Sequence, residues 1–184
     1  VKAYPETLEI CQADITKQDA MEFALRNMPW DELDSLVITA GVLFNEDRRK
    51  LLQDQEMDVI WRTFAVNFFG VLQTLQLFMP RVKSGGKLFV TTSEGVALDE
   101  IGTWIPSYAL SKAAATKLCG VLMASQDRVE IYAVHPGRMN TEMGRQTAQI
   151  EPEETAAYFV RLIEGDIPLS RENWYINYTG ESLL

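Results

Sequence analysis

The sequence is poor in the residues that build metal centres and covalent staples. Its 184 residues include two cysteines and one histidine. Cys11 and Cys119 show no metal-ligand spacing and no disulfide framework, and both lie in apolar segments, so no metal site is expected. They read as core residues in a reducing compartment, which places the protein in the cytoplasm. Positive charge is also scarce. Lys and Arg number 17 against 26 Asp and Glu, a net −9. That balance argues against nucleic acid or an anionic membrane as the main partner. It leaves room for a local anionic cofactor, because backbone N–H groups bind phosphate without net positive charge. No apolar run approaches the roughly 18 residues of a membrane span. Glycine is missing from the whole opening of the chain, where the first is Gly41.

What is present alternates between short apolar runs and longer helical patterns, the signature of an α/β domain with a largely parallel sheet. Leu8-Glu9-Ile10-Cys11 reads as a strand over 8–13. Thr16 then caps a helix to about Arg26 with Ala20, Phe23 and Ala24 inward. Ser35 to Thr39 is a continuous apolar run that suits a strand buried on both faces. It ends at Ala40-Gly41, where a glycine lets backbone approach a ligand. A long helix follows over 55–79, stopped by Pro80, with Asn67 at its middle. That amide is either exposed on the polar face or buried with its hydrogen bonds met. Ser84-Gly85-Gly86 reads as a turn and Lys87 to Ser93 as a strand. Pro106 or Tyr108 opens a helix to Ser125, Val129 to Val134 forms the next strand, and His135, the lone histidine, reads as packing at its end. Residues 142–149 read as a loop or short helix. Pro152 opens a last helix through Ile163, since Pro at N1 and acids in the first turn are favourable there. Asn173 to Tyr178 closes the series as a strand.

Chemistry concentrates between Ser93 and Lys112. If Tyr108 opens a helix, Lys112 lies one turn on along the same face and sets an ammonium beside a phenol. A free phenol has a pKa near 10 (about three units above neutrality), and a nearby cation favours its ionised form. A tyrosine tuned in this way gives or takes a proton at a carbonyl or alcohol oxygen. Ser93 falls at the carboxyl end of its strand, the edge where open α/β sheets bind ligands. The plainer alternative is an aromatic at a helix start with a solvated lysine.

Taken in order, these pieces resemble the short-chain dehydrogenase/reductase family. Asn67, Ser93, Tyr108 and Lys112 match its catalytic tetrad. Asp14, followed by Ile15, stands where the family has an aspartate beside the adenine. Thr39-Ala40-Gly41 resembles its Asn-Ala-Gly turn, with threonine replacing asparagine. Pro136-Gly137-x-x-x-Thr141 matches the element at the nicotinamide end. His-Pro-Gly, Thr-Glu-Met-Gly and Pro-Glu-Glu-Thr-Ala look like the C-factor-type and sniffer-type carbonyl reductase branch.

The resemblance implies a Rossmann-type, doubly wound parallel sheet and hydride transfer between NADP or NAD and a small carbonyl or alcohol substrate. Tyr108 would be the general acid/base. Lys112 would lower its pKa and hold the nicotinamide ribose. Ser93 would position the substrate oxygen, and Asn67 would support a water linking Lys112 to solvent. Asp14, Ile15, Ala40, Gly41, Tyr108, Lys112, Pro136, Gly137 and Thr141 would contact the cofactor. Phe44, Trp104 and Met143 are candidates for an apolar wall, and helices 55–79 and 108–125 for a homo-oligomer interface. The departure is the family's opening strand and glycine-rich phosphate loop, which these residues lack. The expectation is therefore a single domain missing its N-terminal βαβ part, in a chain that is the carboxyl-terminal part of a longer protein. Such a chain should bind dinucleotide poorly and show a gap, or a neighbouring chain, between strands 8–13 and 35–39. A non-catalytic signalling or interaction protein that keeps the fold is the alternative.

Overall fold

The computed structural model describes residues 8–96, 104–144 and 147–184. Four runs rich in β-branched and aromatic side chains form one parallel sheet in the order β1-β2-β3-β4: β1 (Leu33–Ile38), β2 (Val82–Thr91), β3 (Glu130–His135) and β4 (Tyr175–Asn177). Leu88, Phe89 and Val90 on β2 and Ile131 to Val134 on β3 are fully buried. Continuous apolar runs of this kind belong to strands covered on both faces. Full burial of such a side chain contributes about 1.5–3 kcal/mol.

The helices flanking the sheet are α1 (Gln18–Arg26), α2 (Met57–Phe64), α3 (Val71–Phe78), α4 (Pro106–Ser125) and α5 (Pro152–Glu164). Phe159 of α5 meets Phe89 edge to face at 6.0 Å, and Phe89 stacks on Tyr132 at 5.7 Å. Cys119 and Met123 of α4 join the same core. All strand carboxyl ends lie along one edge, so the segments after β1, β2 and β3 arrive at a common place.

Several sequence expectations are corrected. Residues 8–13 form no strand and are exposed. Among the described residues nothing pairs with them, and a strand without a ladder partner leaves its N–H and C=O groups to water. Cys11 is exposed rather than core. Thr16 caps no helix: its N–H and hydroxyl both donate to Asp14 Oδ1, at 2.9 and 2.8 Å. Met21, not Phe23, is the buried residue of α1. Ser84-Gly85-Gly86 lies inside β2, where the pairing with β1 jumps from Leu33–Val82 to Ser35–Lys87 and makes a bulge.

The single helix expected over 55–79 is α2 and α3 joined by a π-helical stretch, Ala65–Gly70. Such widened turns occur often at functional sites. Here the turn carries Asn67, which is fully buried.

Candidate active site

Gly41 follows β1 at a point of close approach. A Cβ there would stand 3.2 Å from Lys112 Nζ and 3.5 Å from Asn67 Oδ1. Asn67 is the hinge of this corner. Its Oδ1 accepts from Val42 N at 2.8 Å, and its Nδ2 donates to Val42 O and Ser111 Oγ, each at 3.0 Å. The buried amide is thus fully partnered, and it ties the end of β1 to α4. Ser111 is fully buried and donates to Tyr108 O at 2.8 Å.

Lys112 is nearly buried, and its ammonium donates to Thr91 O at 2.8 Å. Burial holds its pKa down at about 8, against a small upward pull from Cys119. The ammonium lies 5.8 Å from the Tyr108 ring centre. Tyr108 departs from the sequence expectation: burial pushes its phenol up to about 12, with Arg48 pulling the other way. Desolvation outweighs the attraction of Arg48, so the phenol keeps its proton at neutral pH.

Ser93 follows β2, where its backbone carbonyl accepts from Tyr175 Oη at 2.6 Å. Ser93, Tyr108 and Lys112 line one cleft of about 1780 Å³ at the carboxyl edge of the sheet, with Gly41, Pro136, Gly137 and Thr141 on its walls. Gly137 has φ 83°, in the left-handed region, and a Cβ there would press on Ile150 and Tyr178. Trp104 and Met143 also line the cleft; Phe44 does not and lies under Arg62 instead, 4.5 Å from its guanidinium.

Asp14, Ile15 and Ala40 stand outside the cleft lining. Hydrogen bonds from Thr16, the backbone one foremost, hold the exposed Asp14 carboxyl below its ordinary pKa. Ile15 packs against Gly70, and its carbonyl accepts from Gln73 Nε2 at 3.2 Å. The Thr141 hydroxyl accepts from Gly144 N at 3.2 Å.

His135 takes more part in the site than packing alone. Its Nε2 lies 3.4 Å from Glu94, whose other oxygen accepts from Arg138. Burial lowers its pKa, against Glu94, which raises it, and alongside Arg138, which lowers it further.

Three buried polar atoms among the described residues lack a partner: Thr91 Oγ1, Thr92 Oγ1 and His135 Nδ1. All three residues line the cleft. Unpartnered buried groups of this kind are accounted for by strain, a role at a functional site or a bound water or ion. With the glycine approach at Gly41 and Gly137, the cleft fits the nicotinamide half of a dinucleotide. Sequence reasoning missed Asp47, Gln55 and Ser107, buried polar residues at the start of α4; nothing in local spacing links positions 52 to 61 apart.

Fold and site together define a Rossmann-type α/β domain with a tyrosine–lysine pair at its ligand edge. The sequence matches the short chain dehydrogenase family over residues 1–152, and the chain belongs to that family of NAD(P)-dependent oxidoreductases. It is 28% identical over 165 residues to 1-hydroxy-2-glutathionyl-2-methyl-3-butene dehydrogenase of Rhodococcus sp. (strain AD45), covering 84% of this chain and 71% of that one. Among solved structures it is similar to a short-chain dehydrogenase/reductase from Burkholderia multivorans with bound NADP, at TM-score 0.87 and 20% identity over 99% of this chain and 79% of that one. Carbonyl reductase Sniffer of D. melanogaster matches at TM-score 0.80 and 17% identity, over 95% and 76%. Among the described residues no helix is long and apolar enough to cross a membrane, and no group of three or more His, Cys, Asp or Glu is placed to hold a metal ion.

Proposed function

We propose that residues 1–184 act as one Rossmann-type domain of a carbonyl reductase or alcohol dehydrogenase in which Tyr108 is the general acid/base. The observation that carries this is the meeting of Tyr108, Lys112 and Ser93 in one cleft at the carboxyl edge of the sheet. Bound NAD(P) supplies or takes up the hydride. NADP is the preferred form, since the Burkholderia relative was solved with it.

In the direction of reduction, the protonated Tyr108 phenol gives its proton to the carbonyl oxygen as carbon gains the hydride, and an alcohol results. Ser93 Oγ donates to the same oxygen and fixes its position. The Lys112 ammonium, anchored on Thr91 O, would hold the ribose hydroxyls of the bound cofactor and compensate the phenolate left behind. Asn67 sets the corner behind Lys112, where a water would connect that ammonium to solvent. Gly41, Pro136, Gly137 and Thr141 would hold the nicotinamide end, with Ala40 behind Gly41. Asp14 and Ile15 would lie at the adenine side.

Leu43, Trp104 and Met143 give the substrate side an apolar wall, which suits a hydrophobic carbonyl compound. The Rhodococcus relative acts on a glutathionyl alcohol by its name, so a bulky substituent is compatible with the scaffold. The unpaired thiols, Cys11 exposed and Cys119 buried, suit the reducing cytoplasm.

The test is Tyr108→Phe in the full-length enzyme. NADPH oxidation against a panel of aromatic and aliphatic carbonyls should fall roughly 10²–10⁴-fold, with the fold intact by circular dichroism. Near-wild-type turnover in the folded variant defeats the assignment.

A further inference from the structure

Helix α4 carries Tyr108 in its first turn, and that turn has no cap of its own. The residue before it, Ile105, is left-handed at φ 49° and offers no side-chain hydrogen bond. Pro106 at N1 has no N–H. Ala109 N is the first to find a helical partner, Ile105 O, at 2.9 Å. That leaves the N–H groups of Ser107 and Tyr108, and a buried helix end needs both met.

Both go to one residue far away in the chain. Asp47 Oδ1 accepts from Ser107 N at 2.9 Å, and Asp47 Oδ2 accepts from Tyr108 N at 2.8 Å. Asp47 is 1% exposed and no ion pair with a Lys or Arg side chain reaches it among the described residues. Its stabilisers are the two amides, the positive end of the helix dipole and the Gln55 amide, whose Nε2 donates to Asp47 Oδ1. Gln55 Oε1 in turn accepts from Ser107 Oγ. The three side chains close a buried ring under the catalytic helix.

We propose that Asp47 is the positioning residue of Tyr108: its carboxylate supplies the missing cap of α4 and fixes the backbone from which the phenol projects into the cleft. The inference rests on the reading of Tyr108 as general acid/base. The geometry favours positioning over simple stability for one reason. A carboxylate with both oxygens on successive amides fixes the direction of the helix start, whereas a single capping bond leaves it free to pivot. The neighbouring Arg48 faces the cleft from the same turn and donates to Met143 O, so the turn joins the catalytic helix to the loop after β3.

The experiment compares the full-length enzyme with Asp47→Asn, Gln55→Ala and Tyr108→Phe. Asparagine keeps the size but offers one acceptor oxygen, so one amide faces an NH2 group. The readouts are kcat per NADPH-binding site, substrate KM, NADPH Kd, and hydrogen exchange at the Ser107 and Tyr108 amides. A misplaced reacting group costs up to about 100-fold. Asp47→Asn should therefore lower kcat per site by about 10- to 100-fold while KM and Kd stay near wild type, and should speed exchange at both amides. Gln55→Ala should shift the same readouts in the same direction by a smaller factor. If Asp47→Asn keeps the wild-type kcat per site, or slows turnover only by lowering the number of binding sites, the proposal is overturned. If Asp47→Asn does not fold, a wild-type kcat per site and unchanged exchange in Gln55→Ala overturn it. Full activity in Tyr108→Phe would instead remove the catalytic reading beneath it.

Discussion

At the scale of single residues, burial decides the protonation of the site more than neighbouring charge does. Lys112 is the clearest case. Its pKa is held at about 8 where an exposed lysine has 10.5. Between those values the unfolded chain keeps a proton that the folded chain has lost, so this group makes stability rise with pH there. Below pH 8 both states carry the proton and the burial cost is present in full. Lys112→Met removes this titration. In urea unfolding, the variant should be most favoured over wild type near pH 7. Its advantage should shrink by up to about 3 kcal/mol as pH climbs from 8 to 10.5. Tyr108 and Cys119, whose burial acts in the opposite sense at high pH, are present in both proteins; Cys119 also feels the Lys112 charge, so the comparison is read between pH 7 and 9, over the first part of that change. A gap that does not change with pH would mean that the lysine is not desolvated.

At the scale of elements, legibility followed how local the determinants are. α4, β3 and α5 were readable because Pro at N1, small or periodic apolar residues and a buried apolar run are written in neighbouring positions. The tyrosine–lysine pair was readable for the same reason, being one helical turn apart. The π-helical stretch was not: the Asn67 it carries finds its partner in Val42, 25 residues away, which no local pattern announces. The strand expected at 8–13 failed because its pattern was adequate but strands exist only in pairs. The cap of α4 was hidden in the same way, since Asp47 lies 60 residues from Ser107. The Asn67 link yields a prediction of its own. Asn67→Ala leaves the N–H and C=O of Val42 without protein partners in a part-buried corner. Stranding buried backbone groups costs about 1–3 kcal/mol each, less where water enters, so the expected loss is about 2 kcal/mol in chemical unfolding. Asn67→Asp keeps the acceptor for Val42 N but sets a carboxylate against Val42 O, and should be no less damaging at neutral pH. Wild-type stability in both variants would show that the π-helical stretch does not depend on this amide.

At the scale of the whole molecule, the helices that frame the site carry large exposed apolar side chains. Met57 and Trp61 of α2 are 59% and 61% exposed, Phe69 of the π-helical stretch 51%, and Leu110 and Val121 of α4 47% and 53%. α2 and α4 pack against each other, so these side chains sit on adjoining helices. Scattered exposed apolar residues need no explanation, but large ones on two neighbouring helices are where a contact with a partner would form. The chain also carries a net −9, which opposes association of two copies at long range and is screened within about 8–10 Å at physiological salt. A second copy of the same chain, docked helix pair to helix pair, is the partner we propose, because a two-fold contact needs only one self-complementary patch. The full-length protein should therefore run as an oligomer in light scattering at physiological salt and loosen as the salt is lowered. Trp61→Glu places a charge where an aromatic anchor would be buried, at a position away from the cleft lining. It should convert the protein to monomer without loss of the folded helical signal. Val121→Glu, on α4 and likewise outside the cleft lining, should do the same. If both variants keep the oligomeric mass of the wild type, the contact lies on another face. If the wild type is itself a monomer at all salt concentrations, the surface serves no self-association.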